Sequence, residues 1–144
     1  MSDITTIINL LVAFLLCGII GWLREKQGKA AGLRTHILVG VGSALFTLIS
    51  ADMMAKSGTA DPGRIAAGVV AGIGFIGAGT IVQARGAVRG ITTASSIWAV
   101  AAIGMASGSG FYVGAVTATI IAVLTLEVLQ RAEKKIIKTK DSGE

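Results

Sequence analysis

Charge is scarce in this sequence. Asp, Glu, Lys and Arg make up 15% of its 144 residues, against about 25% in an ordinary soluble domain, which excludes a conventional water-covered surface. Cysteine occurs once, at Cys17, and histidine once, at His36. That excludes a disulfide within the chain and a Cys/His metal cluster. There is no phosphate-loop lysine, and the serines and threonines have no acid and histidine partners in a recognisable motif. No catalytic set is present, so the chain is not expected to be an enzyme, and no cofactor or bound metal is expected.

Apolar sequence fills the space. The chain is 53% hydrophobic with a mean hydropathy of +0.76, and its charges cluster so as to leave five uncharged or nearly uncharged windows. These are Ile4 to Leu23, Ile37 to Met54, Ile65 to Val82, Ile91 to Ala106, and Phe111 to Leu129 with Glu127 near its end. Each approaches the roughly 20 residues that cross the hydrocarbon core. The fourth is brief for a full span and implies tilt, local thinning or a partly re-entrant course. The expected fold is an all-α polytopic membrane protein of about five transmembrane helices, residues 1–130, followed by a basic tail, residues 131–144. The first window is too long for a signal-peptide core and has only Ser2 and Asp3 before it in place of a basic region, so no cleavage is expected.

The basic residues give a direction. With the N-terminus outside and five crossings, the inner side receives Arg24, Lys26, Lys29, Arg34, Arg85, Arg89, Arg131, Lys134, Lys135, Lys138 and Lys140, which is 11 of the 13. The outer side keeps Lys56 and Arg64 with Asp3, Asp52 and Asp61. This is the positive-inside pattern, with a cytoplasmic C-terminus. The net charge of +5 is juxtamembrane and has no interleaved aromatics. It points to anionic lipid headgroups and not to nucleic acid.

The third window contains Gly72-Ile73-Gly74-Phe75-Ile76-Gly77, letter for letter a GxGxxG. A dinucleotide fingerprint needs a preceding strand and an acidic residue about 20 positions on. No Asp or Glu stands between Asp61 and Glu127, and the motif lies in an apolar span. Helix packing explains the glycines instead. Gly68, Gly72 and Gly79 fall on one side at 100° per residue, and Gly68-xxx-Gly72 has the spacing that lets backbones approach in lipid. Gly74 and Gly77 project to another side. A helix so slim is expected to be central, with neighbours on several sides. A sharper alternative is a bend or unwinding that turns backbone carbonyls to a cavity.

Polar residues gather at the edges of the spans. Arg24 and Glu25 close the first, Arg34 and His36 open the second, Asp61 and Arg64 introduce the third, and Thr92 and Thr93 lead into the fourth. Each has a plain reading: an interfacial pair for Arg24 and Glu25, a snorkelling anchor for Arg34, a helix cap ahead of Pro62 for Asp61, and a hydrogen-bonded edge residue for His36. Each also has a functional one, because charge near lipid is costly and histidine is the side chain that titrates near neutrality unaided. Magnesium would want oxygen ligands. Glu25 and Asp61 could supply them, but the topology puts them on opposite faces.

On these residues a resemblance rests. The runs GWLRE (Gly21 to Glu25), AGLRTHILV (Ala31 to Val39), DPGRIAAGVVAGIGFIGAGTI (Asp61 to Ile81) and VRGITTASSIWAVAAIGMASGSG (Val88 to Gly110) resemble, in order and spacing, the signature blocks of the MgtC/SapB family of bacterial membrane proteins. Gly68 departs from the glutamine common there. About 15 residues follow Leu129, and on that length the soluble C-terminal domain of the longer members is not expected. The resemblance implies an inner-membrane protein tied to growth at low magnesium, and it implies regulation, including restraint of the ATP synthase. It carries Arg24, Glu25, Arg34, His36, Asp61, Arg64, Thr92, Thr93 and Trp98 over as signature positions. Two functions are expected to compete. One is a non-enzymatic membrane regulator that docks a partner or a second copy of itself. The other is a small oligomeric Mg2+ or H+ transporter or channel.

Overall fold

The computed structural model describes residues 2–59, 61–84 and 86–130. Local signals start and stop its helices. The Ser2 hydroxyl accepts from the Thr5 amide at 3.2 Å and opens α1 (Asp3–Lys26), whose last turn carries Arg24 and Lys26 against the negative end of the helix dipole. Helix α2 (Leu33–Ser57) closes on Gly58 at φ +68°. Asp61 caps α3 (Pro62–Ala78), with Pro62 at the first turn where its missing N–H costs nothing. After a short antiparallel hairpin, β1 (Val82–Ala84) with β2 (Ala87–Arg89), come α4 (Ile91–Gly108) and α5 (Tyr112–Leu124). Helix α5 continues as a π-helical turn over Thr125–Leu129.

The all-α membrane class holds. Helices α1, α2, α4 and the run Tyr112–Leu129 are long and apolar enough to cross a membrane. Helix α3 has 17 residues, about 26 Å, a little under the roughly 30 Å hydrocarbon core. The expected third span runs to Val82. The helix ends earlier, where Gly79, Thr80 and Ile81 turn back onto the carbonyls of Phe75, Gly77 and Ala78 and the chain enters the hairpin. The hairpin itself is an addition that apolar windows do not reveal. Gly90 joins it to α4 at φ +94°, where a Cβ would lie 2.0 Å from the Thr80 carbonyl oxygen, so only glycine fits.

The centre of the bundle is α4, which packs against α1, α2, α3 and α5. This corrects the expectation that the glycine-rich third helix is enclosed. Helix α3 meets α4 and α2 and leaves much of its surface open, with Phe75 at 85% exposure. The enclosed core is built instead from Cys17, Ile20, Val100, Ile103 and Ala115, with Ile97, Ala101 and Ile73 beside it. Cross-helix contacts give an up-and-down course. Arg24 meets Thr93 and Asn9 meets Gly108, so α1 runs against α4. His36 meets Ser96, and Gly40 and Ala44 meet Gly104 and Gly108, so α2 runs with α4.

Candidate functional site

The C-terminus of α1 and the N-termini of α2 and α4 converge on one buried polar cluster. Gly21 makes the approach possible: a Cβ there would sit 2.8 Å from His36 Cβ and 2.9 Å from Leu33 Cα. In the space so closed lies Arg24, 2% exposed. Its Nη2 donates to Thr93 Oγ1 at 2.9 Å and its Nη1 to Gln27 Oε1 at 3.4 Å, while its buried Nε has no partner among the described residues. Gln27 passes the contact on, since its Nε2 donates to Glu127 Oε2 at 3.0 Å. An amide thus stands between the guanidinium and the carboxylate of the π-helical turn. Hydrogen bonds to a charged group contribute about 1.5–3 kcal/mol each, against an effective cost of several kcal/mol for burying an ion. The arrangement is therefore a costly one for stability alone.

His36 is fully buried next to it. Its Nδ1 lies 2.8 Å from the Gly32 carbonyl oxygen, and its Nε2 lies 3.1 Å from Ser96 Oγ. A carbonyl only accepts, so Nδ1 carries the proton. Ser96 Oγ has one proton, which goes either to Nε2 of the neutral ring or to the Thr93 carbonyl oxygen 2.8 Å away, not to both. Thr93 and Ser96, one turn apart on α4, thus bring Arg24 and His36 into one set. Glu25, on the outer side of the same corner, accepts from the Leu33 amide at 2.7 Å. It caps α2, whose N-cap residue Gly32 has no side chain to do so.

The structure thus brings together Arg24, His36 and Thr93, with Glu25 at the rim. Arg34 and Thr92 point outward and are exposed. Trp98 is 55% exposed and lines a shallow recess between α3 and α4 with Gly74, Gly77 and Ser95. Asp61 lies at the other end of the bundle, where its Oδ1 accepts from the Gly63 amide at 2.8 Å. It shares a hollow with Arg64, Ser50, Met53 and Ile65. Glu25 and Asp61 are accordingly at opposite ends, and among the described residues no three His, Cys, Asp or Glu side chains gather to hold a metal ion. Arg85 and the basic tail, residues 131–144, lie outside the described residues.

The glycine-packing expectation needs relocation. A Cβ at Gly68, Gly72 or Gly74 would meet nothing within 4 Å. Gly79 faces carbonyls of its own helix, and only Gly77 touches α4, at Ala94. Residues Gly72 to Gly77 are continuous helix, so the segment is not unwound there. Close backbone contact occurs elsewhere, between Gly40-xxx-Ala44 on α2 and Gly104-xxx-Gly108 on α4. A Cβ on Gly104 would lie 2.1 Å from Gly40 O, and one on Gly108 would lie 2.5 Å from Ala44 O. These pairs carry the same spacing signal as Gly68-xxx-Gly72. Sequence reasoning also missed Gln27, Ser96 and Asn9. Asn9, 2% exposed, donates to Gly108 O at 2.9 Å and accepts from the Tyr112 hydroxyl. A lone amide inside an apolar window was the available signal.

A family model described as MgtC family matches residues 10–135. YhiD of Escherichia coli (strain K12), named as a candidate magnesium transporter, is 48% identical over 130 residues, 87% of this chain and 60% of its own length. Protein MgtC of Salmonella typhimurium (strain LT2) is 43% identical over 138 residues, 96% of this chain and 58% of its own. Protein MgtC of Brucella abortus (strain 2308) is 42% identical over 118 residues, 82% of this chain and 48% of its own. The chain therefore spans about half to three-fifths of the length of these relatives. No solved structure matches it.

Proposed function

The chain belongs to the MgtC family, and from that premise we propose that it is a non-enzymatic regulator in a bacterial inner membrane, linked to magnesium homeostasis and membrane energetics. It acts by docking a second copy of itself or another membrane protein, the ATP synthase being the partner that the family resemblance implies. The observation that carries this reading is where the ionisable groups are used. Arg24 and His36 are bonded into the α1–α2–α4 corner, Glu25 and Asp61 cap helices at opposite ends, and the middle of α3 and the whole of α4 carry no ionisable side chain. A coupled ion path would draw on such groups at mid-membrane.

The orientation belongs to the same proposal, with the N-terminus outside and the C-terminus cytoplasmic. It is supported by the described charges. Arg24, Lys26, Lys29, Arg34 and Arg89 sit at the end that holds the buried cluster, and Asp52, Lys56, Asp61 and Arg64 at the other. The name of the Escherichia coli relative favours a second reading, an oligomeric Mg2+ or H+ transporter.

Flux into proteoliposomes, read with magnesium and proton dyes, separates the two. The regulator is expected to give no flux above empty vesicles while its helical circular dichroism is intact. A magnesium or proton flux that Arg24→Gln or Asp61→Asn abolishes would overturn the proposal in favour of transport. Crosslinking from native membranes is expected to return a defined protein partner or a second copy.

A further inference from the structure

Between α2 and α3 runs an apolar groove of about 780 Å³, within the roughly 300–1,000 Å³ of ordinary ligand sites. Glycines make the room. Gly42, Gly68 and Gly72 line it, and a Cβ on any of them would meet nothing within 4 Å. Its wall on α2 extends from Leu38 to Ile49, a rise of about 17 Å. That is close to half of the roughly 30 Å hydrocarbon core, the depth of a single leaflet.

At one end the groove changes character. Ile65 lines both the groove and the hollow of about 300 Å³ formed by Asp61, Arg64, Ser50 and Met53. Arg64 and Asp61 are exposed and are not paired with each other, since the one ion pair among the described residues is Lys56 with Asp52. Asp61 uses Oδ1 for the Gly63 amide. A leaflet-deep apolar slot therefore opens into a headgroup-level hollow with one cation and one anion. That combination is complementary to a phosphate and an ammonium carried on one apolar chain.

We propose that this groove is a binding site for a zwitterionic aminophospholipid. One acyl chain fills the α2–α3 slot, the phosphate pairs with Arg64 and the ammonium pairs with Asp61. An anionic phospholipid without the amine would gain Arg64 but meet repulsion from Asp61. Selectivity between the two headgroups is thus set by one carboxylate. The site is independent of whether the protein regulates or transports.

The test uses the full chain, purified in mild detergent and incubated with equimolar phosphatidylethanolamine and phosphatidylglycerol, with retained lipid counted by native mass spectrometry. Wild type is expected to keep phosphatidylethanolamine over phosphatidylglycerol by about fivefold, the size of one exposed charge pair. Asp61→Asn keeps a competent helix cap and is expected to bring the ratio near one without loss of helicity. Gly68→Leu with Gly72→Leu fills the slot and is expected to remove the tightly held lipid, with the Arg24 corner intact. Equal retention of both lipids by wild type, or retention unchanged by the double leucine variant, overturns the proposal. So does a double variant that keeps its lipid and loses a dimer on light scattering, which would make the groove a seat for a second copy.

Discussion

Two helix interfaces in this molecule use glycine in opposite ways. Where α2 meets α4, Gly104 and Gly108 stand against the backbone of Gly40 and Ala44, at distances a side chain could not tolerate. Where α3 lies on α2, Gly42, Gly68 and Gly72 stand against nothing. The first interface is welded by contact of main chains, whose dispersion attraction helps hold helices together in a bilayer, where the hydrophobic drive present in water is missing. The second leaves a slot, the one proposed above to take a lipid acyl chain. The difference teaches that glycine spacing reports a capacity for close approach, and the facing surface decides whether it is used.

The largest effect expected from breaking this contrast is at Gly104. Alanine there would push a methyl carbon to 2.1 Å from the Gly40 carbonyl oxygen, and neither backbone can give way without parting α2 from α4. Overpacking a tight core costs about 1–3 kcal/mol and at times more, so Gly104→Ala is expected to lose about 3 kcal/mol. Unfolding in mixed detergent, followed by circular dichroism, measures it. A midpoint unchanged from wild type would mean that the two main chains do not touch.

Next in size is the corner that the close approach of α1 and α2 at Gly21 encloses. Thr93→Val removes the acceptor for Arg24 Nη2 and leaves a second buried guanidinium nitrogen without a partner, beside Nε. The expected cost is about 1.5–3 kcal/mol. Thr92→Val changes an exposed neighbour and is expected to leave the unfolding midpoint close to wild type. Equal effects at the two threonines would remove Thr93 from the cluster. Smaller again is Glu25→Ala, which takes the carboxylate from the Leu33 amide. Loss of a cap costs about 1 kcal/mol, and hydrogen exchange at the first turn of α2 should rise locally while α4 is unchanged.

Much of this was legible in the sequence, for reasons of period and charge. Apolar windows fix where helices can cross, and clustered basic residues separate the two ends. The pairing of Asp61 with Pro62 announces the start of α3. Partnership was not legible. Gly104-xxx-Gly108 and Gly68-xxx-Gly72 carry the same spacing, and only the fold shows that one faces Gly40 and Ala44 while the other faces open space. In the same way, Arg24, His36 and Thr93 are recognisable as edge residues, but their meeting depends on Gly21 letting α1 and α2 close to backbone distance. The early end of α3 was also hidden, because Gly79 to Val82 continues the apolar run while the backbone turns away.

The smallest effect sharpens the contrast most. In Gly72→Ala the new methyl would meet nothing within 4 Å, and alanine is a better helix former than glycine by about 0.5–1 kcal/mol. The isolated chain in detergent is therefore expected to gain roughly 0.5 kcal/mol, a sign opposite to that at Gly104. The same substitution measured in native lipid carries different information. If a lipid chain or a partner helix seats against α3 in the membrane, the methyl takes part of its space, and the gain should shrink or reverse there. A gain of equal size in both media would leave the α3 face bare and would reduce its glycines to unused capacity.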